Sequence, residues 1–239
     1  MGKGILRNIV DSTNQSGFAV ARAAIPDCLV DEFCRLTQSL SGVHQSVRRA
    51  SSVYGIRHLL MSVPRLRELA SSSPLIDLAR AILGVDARPV KGTFFDKTSD
   101  ANWPVPWHQD VTITIEPSGE VPGFDMRPVK DGMVHAIPPA EISQNMVALR
   151  IHLDDAGVNH GALRVIPGSH REGRLSQDRV NDLLANSAET VVAVCRADVM
   201  LMRPLLLHAS SACQTPGHRR VIHLEYADRD LPGGLKWAG

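Results

Sequence analysis

The apolar residues of this chain change their spacing once, near residue 88, and that change limits the folds open to it. Upstream, Leu29, Phe33, Leu36 and Leu40 recur at helical intervals, with Gly42 where a C-terminal cap would stand. Residues 73–84 repeat the pattern. Ser73 can cap, Pro74 suits the first turn, Leu75, Leu78, Ile82 and Leu83 form one stripe, and Gly84 ends it. Downstream the runs are short and strand-like: Arg88–Phe95, Val111–Ile115, Met146–Leu153, Ala162–Ile166, Thr190–Val194, Val199–Met202 and Arg220–Tyr226. Turn formers separate them, among them Gly161, Pro167-Gly168, Asp198 and Pro216-Gly217. A short helix is expected at Gln177–Ala185. Helices followed by a series of short strands predict an α+β chain with a mainly β core, closed as a barrel or sandwich.

A chain of 239 residues suits one domain of this kind, and neither a repeat nor a linker divides it. A helical part is expected over residues 1–87 and a strand core over 88–228. Within the core, residues 116–145 hold five prolines and three glycines. Connections this long are uncommon in compact domains except over functional sites, so a lid is expected there. The 26 basic and 25 acidic residues nearly cancel and form no basic stripe, which argues against nucleic acid as a partner. No apolar run approaches the ~20 residues that span a bilayer, so no membrane partner is expected either. Cys28, Cys34, Cys195 and Cys213 form no C-x-x-C pair and no secretion signal precedes them, which reads as reduced thiols and a cytoplasmic location.

The chemistry concentrates in Trp107-His108-Gln109-Asp110 and in His208 at the end of the apolar run 199–207. In a strand, residues two apart point the same way. His108 and Asp110 can therefore face one ion, and an imidazole from a neighbouring strand would complete a 2-His-1-carboxylate face with open coordination positions. Arg219 follows His208 by eleven residues at the start of the last strand.

Four stretches carry a resemblance: residues 105–110 (VPWHQD); Leu153-Asp154-Asp155 with Gly161-Ala162-Leu163; Ile166-Pro167-Gly168-Ser169-His170; and His208-Ala209-Ser210 with Arg219-Arg220. In order and spacing the chain resembles the phytanoyl-CoA dioxygenase-like family of Fe(II)/2-oxoglutarate oxygenases over residues 88–228. The resemblance implies a double-stranded β-helix, a jelly-roll or cupin-like barrel with the N-terminal helices packed on one sheet. It implies iron held by His108, Asp110 and His208, and 2-oxoglutarate anchored through its distal carboxylate by Arg219 and Ser210. A guanidinium fork and a hydroxyl suit a carboxylate. Further co-substrate contacts are implied at Gln109 and Thr93, on or near strands that also carry Lys91 and Phe95.

Arg219 and Arg220 are adjacent on a strand, so one of them faces the interior, and the spacing from His208 favours Arg219. Val221, His223 and Glu225 share its phase. Ser169 and His170 are expected to serve a tight turn, and Arg150, His152, Lys130 and His135 are candidates to meet an anionic substrate. Related halogenases carry a small residue in place of the metal carboxylate, so Asp110 argues for hydroxylation or another oxidative outcome and against halogenation. The implied activity is oxidation of a C–H bond in a small-molecule substrate, consuming O2 and releasing succinate and CO2. The alternative is a cupin-like metal-dependent isomerase, hydrolase or binder that does not use 2-oxoglutarate. Neither the substrate nor the oligomeric state is written in the sequence.

Overall fold

The computed structural model describes residues 2–40, 47–49, 53–98, 101–116, 121–130, 132–214 and 217–239. Gly42, Pro117, Gly119 and Pro216 lie outside the described residues, as does the side chain of Lys130. The N-terminal part contains α1 (Lys3–Ser16), β1 (Phe18–Ala21), α2 (Asp27–Ser39), β2 (Val47–Arg49), β3 (Val53–Ile56), α3 (Leu59–Ser62), α4 (Pro64–Ala70) and α5 (Leu75–Leu83). The β-rich remainder follows as β4 (Arg88–Lys97), β5 (Val105–His108), β6 (Ile113–Ile115), β7 (Asp125–Lys130), β8 (Met133–Ile137), α6 (Ala140–Gln144), β9 (Met146–His152), β10 (Leu163–Val165), α7 (Gln177–Asn186), β11 (Thr190–Val192), β12 (Val199–Met202), β13 (His208–Ser210) and β14 (Arg219–Ala227).

A major sheet runs in the order β1-β12-β9-β14-β4-β3-β2 and a minor sheet in the order β11-β10-β13-β5. This is the jelly-roll architecture of an α+β chain, with α1–α5 on the outer face of the major sheet. Strand periodicity explains why. On β9, Val147, Leu149 and Ile151 join one apolar cluster with Ile222, Leu224 and Tyr226 of β14 and with Phe33, Leu66, Leu75 and Leu78 of the helices. The alternate residues of β9 and β14 face the barrel interior, and there the sequence turns polar: Arg150 and His152, then Arg219, His223 and Glu225. Both faces are thus covered, and every residue of β9 is buried. Each large apolar side chain on the helical side contributes about 1.5–3 kcal/mol. The polar row opposite contributes nothing of that kind and lines the barrel interior.

The strands depart from the sequence pattern in several places, and β2 and β3 extend the far edge of the major sheet within the part expected to be helical. The insertion at 116–145 is not an irregular loop: β8 pairs with β6 on one side and β7 on the other in a third sheet ordered β6-β8-β7, and α6 follows. Apolar residues from this sheet pack with Val90, Met146, Leu231 and Leu235, which fixes it beside the barrel mouth. The expected strand 111–115 shortens to β6, and β5 forms separately just before it. β1 adds an edge strand to the major sheet, paired with β12, that the mixed pattern at 18–21 concealed. At α5, Gly84 ends the helix at φ +96°, as glycine permits, but Ser73 does not cap it. Its hydroxyl instead donates to Asp77 Oδ2 at 2.7 Å.

Candidate metal and co-substrate site

β5 and β13 pair so that His108 stands directly opposite His208, their ring centroids 4.2 Å apart. Each imidazole is fixed in the same local way. His108 Nδ1 donates to Pro106 O, and His208 Nδ1 donates to Leu206 O, both at 2.8 Å. Because the carbonyls can only accept, both Nδ1 atoms carry the proton and both Nε2 atoms keep a lone pair for a metal. Asp110 lies just past the end of β5 rather than within it, and its N–H donates to Pro204 O at 2.9 Å. Its carboxylate nonetheless returns to the histidines: Oδ1 is 3.8 Å from His108 Nε2 and Oδ2 is 3.7 Å from His208 Nε2. One donor atom from each residue lies within 4.8 Å of the other two. Burial pushes the His208 imidazole down to about 4, against the pull of Asp110, which leaves it neutral as a ligand must be. Burial would raise the Asp110 carboxyl, but His208, His223, His108 and Lys91 outweigh it and hold the group well below the usual carboxylate range.

A cavity of about 250 Å³ opens from this cluster between the two sheets. Arg219, Ser210 and Thr93 line it. Arg219 is buried, donates from Nη1 to Gly161 O, and leaves Nε without a partner. Burial and the neighbouring Arg150 push its guanidinium down to about 10. Arg220 faces the other way, where Asp154 clasps it: Nη2 donates to Oδ1 at 2.6 Å and Nε to Oδ2 at 2.9 Å. The two adjacent arginines therefore have separate duties. Gln109 does not face the cavity. Its Nε2 donates to Gly173 O and Leu205 O, and its Oε1 accepts from Leu175 N, so the side chain ties the segment between His108 and Asp110 to two loops. This corrects the co-substrate contact expected there.

Between the two ends runs a buried polar row. Arg150 Nη1 meets His223 Nδ1 at 3.1 Å, His223 Nε2 lies 3.5 Å from Glu225 Oε1, and Lys91 Nζ donates to that oxygen at 2.7 Å. Arg150 is thus a wall of the site, and its Nε has no partner. His152, buried on the same strand, has neither ring nitrogen bonded, and burial with Arg150 and Arg219 holds it neutral. His135 stands on the third sheet and lines a second cavity of about 550 Å³ with His58, Arg57 and Arg127. The two cavities share Lys91, Thr93 and Phe95 as their dividing wall. Ser169 Oγ donates to Ile166 O within its own turn, whereas His170 Nε2 meets Asn14 O of α1, a distant contact rather than the turn role expected of it.

Lys97 and Trp103 also line the first cavity, and the sequence analysis missed both. For Lys97 a signal existed. The alternation of Lys91, Thr93 and Phe95 extends one step further to residue 97. Trp103 lies between strands and carries no such periodicity.

Fold and site together define a non-haem metal enzyme built on a jelly-roll barrel. The model of the phytanoyl-CoA dioxygenase family matches residues 13–221, and the chain belongs to that family. Fe(II), 2-oxoglutarate and O2 are the family's cofactors. No curated protein matches the chain. Among solved structures, AviO1 from Streptomyces viridochromogenes Tue57 is similar at 23% identity, covering 95% of this chain and 96% of that one, with a TM-score of 0.70. The 2-oxoglutarate-dependent epimerase SnoN from nogalamycin biosynthesis is similar at 18% identity over 98% and 92% of the two chains, TM-score 0.71. EctD from S. alaskensis, solved with 2-oxoglutarate and 5-hydroxyectoine, is similar at 18% identity over 95% and 76%, TM-score 0.72.

Proposed function

We propose that this protein is an Fe(II)- and 2-oxoglutarate-dependent oxygenase that hydroxylates a C–H bond of a small-molecule metabolite. One observation carries the reading. A complete 2-His-1-carboxylate donor set and a buried guanidinium with an unpartnered Nε line one cavity. Two imidazoles that present Nε2 and one ionised carboxylate suit Fe(II) and leave open coordination sites. The unpartnered Nε of Arg219 suits a carboxylate. When bound, iron and 2-oxoglutarate supply the oxidising power, with O2 consumed and succinate and CO2 released.

The chain's own residues have distinct tasks. His108, His208 and Asp110 hold the metal, with both imidazoles locked by their Nδ1–H bonds. Arg219 and Ser210 receive the distal carboxylate, and Thr93 borders the chamber where the co-substrate and substrate meet. The third sheet, carrying Arg127 and His135, covers the outer chamber and keeps water from the reacting centre. The four cysteines are free thiols, which supports a reducing, cytoplasmic setting. Among the described residues no helix is long and apolar enough to cross a membrane.

The test is an anaerobic titration with Fe(II) and then 2-oxoglutarate, following the visible charge-transfer band of the chelate. The band is expected in the wild type and is lost in His208→Ala. Iron binding without a band would return the site to a metal-dependent isomerase, hydrolase or binder. Product analysis then reads the outcome: one oxygen atom gained supports hydroxylation, whereas an isomeric product would align the enzyme with the epimerase among its structural neighbours.

A further inference from the structure

We infer that Lys97 is a specificity-determining cation of this cavity: with Arg219 it selects 2-oxo acids that carry a second carboxylate, and it directs the Ser210 hydroxyl toward that carboxylate. The inference rests on the co-substrate reading above and adds a residue to it.

Lys97 and Arg219 stand directly opposite each other across β4 and β14, and both line the cavity. Lys97 is 0% exposed and Arg219 4%. Like charges in this relation destabilise a sheet, and buried charges without a counter-ion are costly. The partners the two cations do have are neutral. Lys97 Nζ donates to Ser210 Oγ and to Ser211 O, both at 2.9 Å, and lies 5.7 Å from the centre of the Trp103 ring. Arg219 donates to Gly161 O. An ammonium has three N–H groups, so Lys97 retains one to donate. A third buried cation, Arg150, lies close enough that burial, Arg219 and Arg150 together push the Lys97 ammonium down to about 7.

A methionine or leucine would fill position 97 without any of this repulsion. Asp96 offsets part of this repulsion at Arg219, and an anion entering between the two cations would offset more. The Ser210 contact points the same way. With Lys97 Nζ on one side of Ser210 Oγ, the hydroxyl hydrogen is directed away from the lysine, and its oxygen lies in the wall of the same cavity. Lys97 thus supplies charge directly and makes Ser210 a donor. A monocarboxylic 2-oxo acid has nothing to place between the cations and gains from neither effect.

The experiment titrates the Fe(II)-loaded protein anaerobically with 2-oxoglutarate and, separately, with pyruvate, which has the same 2-oxo acid head and lacks the second carboxylate. In the wild type 2-oxoglutarate binds far more tightly than pyruvate. Lys97→Met and Lys97→Gln each weaken 2-oxoglutarate on the order of 30-fold and leave pyruvate binding where it was. Unchanged 2-oxoglutarate affinity, or an equal loss for both acids, overturns the inference, because a merely structural lysine would affect the two alike or not at all. Thermal midpoints of the unliganded variants check that each is folded. Lys97→Gln retains a side chain able to reach Ser210 should the methionine variant not fold. A wild type that binds neither acid overturns the co-substrate reading itself, and that result is visible before any variant is made.

Discussion

At one end of the cavity Asp110 is ringed by the imidazoles of His108, His208 and His223; at the other, Lys97 and Arg219 face each other across two strands and, among the described residues, donate hydrogen bonds to neutral oxygens. The first end gathers lone pairs and one negative charge, and it attracts a cation. The second gathers positive charge, and it attracts an anion. Neither end is arranged for the stability of the empty barrel. An apolar lining would pack as well as the outer face of the same strands does, where Ile222, Leu224 and Tyr226 lie against the helices. The contrast teaches that β14 divides its side chains by phase: one set packs the fold, and the alternate set lines the cavity. A single occupant with a metal-chelating head and an anionic tail would satisfy both ends at once, which is the form of 2-oxoglutarate.

The largest expected effect separates the two ends completely. Asp110→Ala lowers Fe(II) affinity by more than about a hundredfold, since even residues behind the ligands account for that much. Arg219→Ala leaves Fe(II) binding intact and weakens 2-oxoglutarate by about 2–5 kcal/mol, the range for removing one partner of a buried, charge-assisted contact. Iron binding measured by calorimetry, followed by the chelate band, distinguishes them. If Arg219→Ala also loses iron, the ends are coupled and the contrast collapses.

A smaller effect concerns the empty protein and the cationic end alone. Lysine in an unfolded chain titrates near 10.4, whereas burial with Arg219 and Arg150 brings Lys97 to about 7. Between those values the unfolded chain binds more protons than the native one, so this residue makes stability rise with pH. Below about pH 7 Lys97 is charged in both states, and the full penalty of burying it is present. Denaturation of the wild type minus that of Lys97→Met, measured across pH 6–10, is expected to climb steadily between about pH 7 and pH 10. A flat difference would mean that Lys97 keeps its proton and that its charge is compensated in the empty cavity.

The two ends were not equally legible in the sequence. The metal end was written in residue types that announce themselves: His108 and Asp110 two apart, and His208 closing an apolar run. What the sequence hid there was the means of assembly, because β5 is short, contains Pro106, and meets β13 in a register that no local pattern encodes. The cationic end was half legible. Arg219 stood at a recognisable spacing, and the alternation on β14 held. Lys97 was passed over because lysine is almost never fully buried, and Asp96-Lys97 looked like the polar end of a strand. The strand runs on because Arg219 and Arg220 on β14 continue the ladder opposite Lys97 and Asp96. The third sheet was misread for a related reason. Prolines and glycines signal loops when counted, but here Pro128 lies within β7 and Gly132 in the turn to β8, and the strands form around them.

The smallest expected effect falls on the neighbour of Arg219 and sharpens the division by phase. Arg220 differs from Arg219 by one position and by half a pleat, and its guanidinium and backbone N–H both bond Asp154. Asp154→Asn removes the charge from this clamp and keeps its shape. The pair is partly exposed, so its loss is expected to lower stability by about 1 kcal/mol, seen as a modest fall in thermal midpoint. The 2-oxoglutarate affinity is expected to stay unchanged, because the clamp lies on the opposite face of the strand from the cavity. A drop in that affinity would show that the grip on Arg220 also sets the aim of Arg219. The inner and outer faces of β14 would then act as one device rather than two.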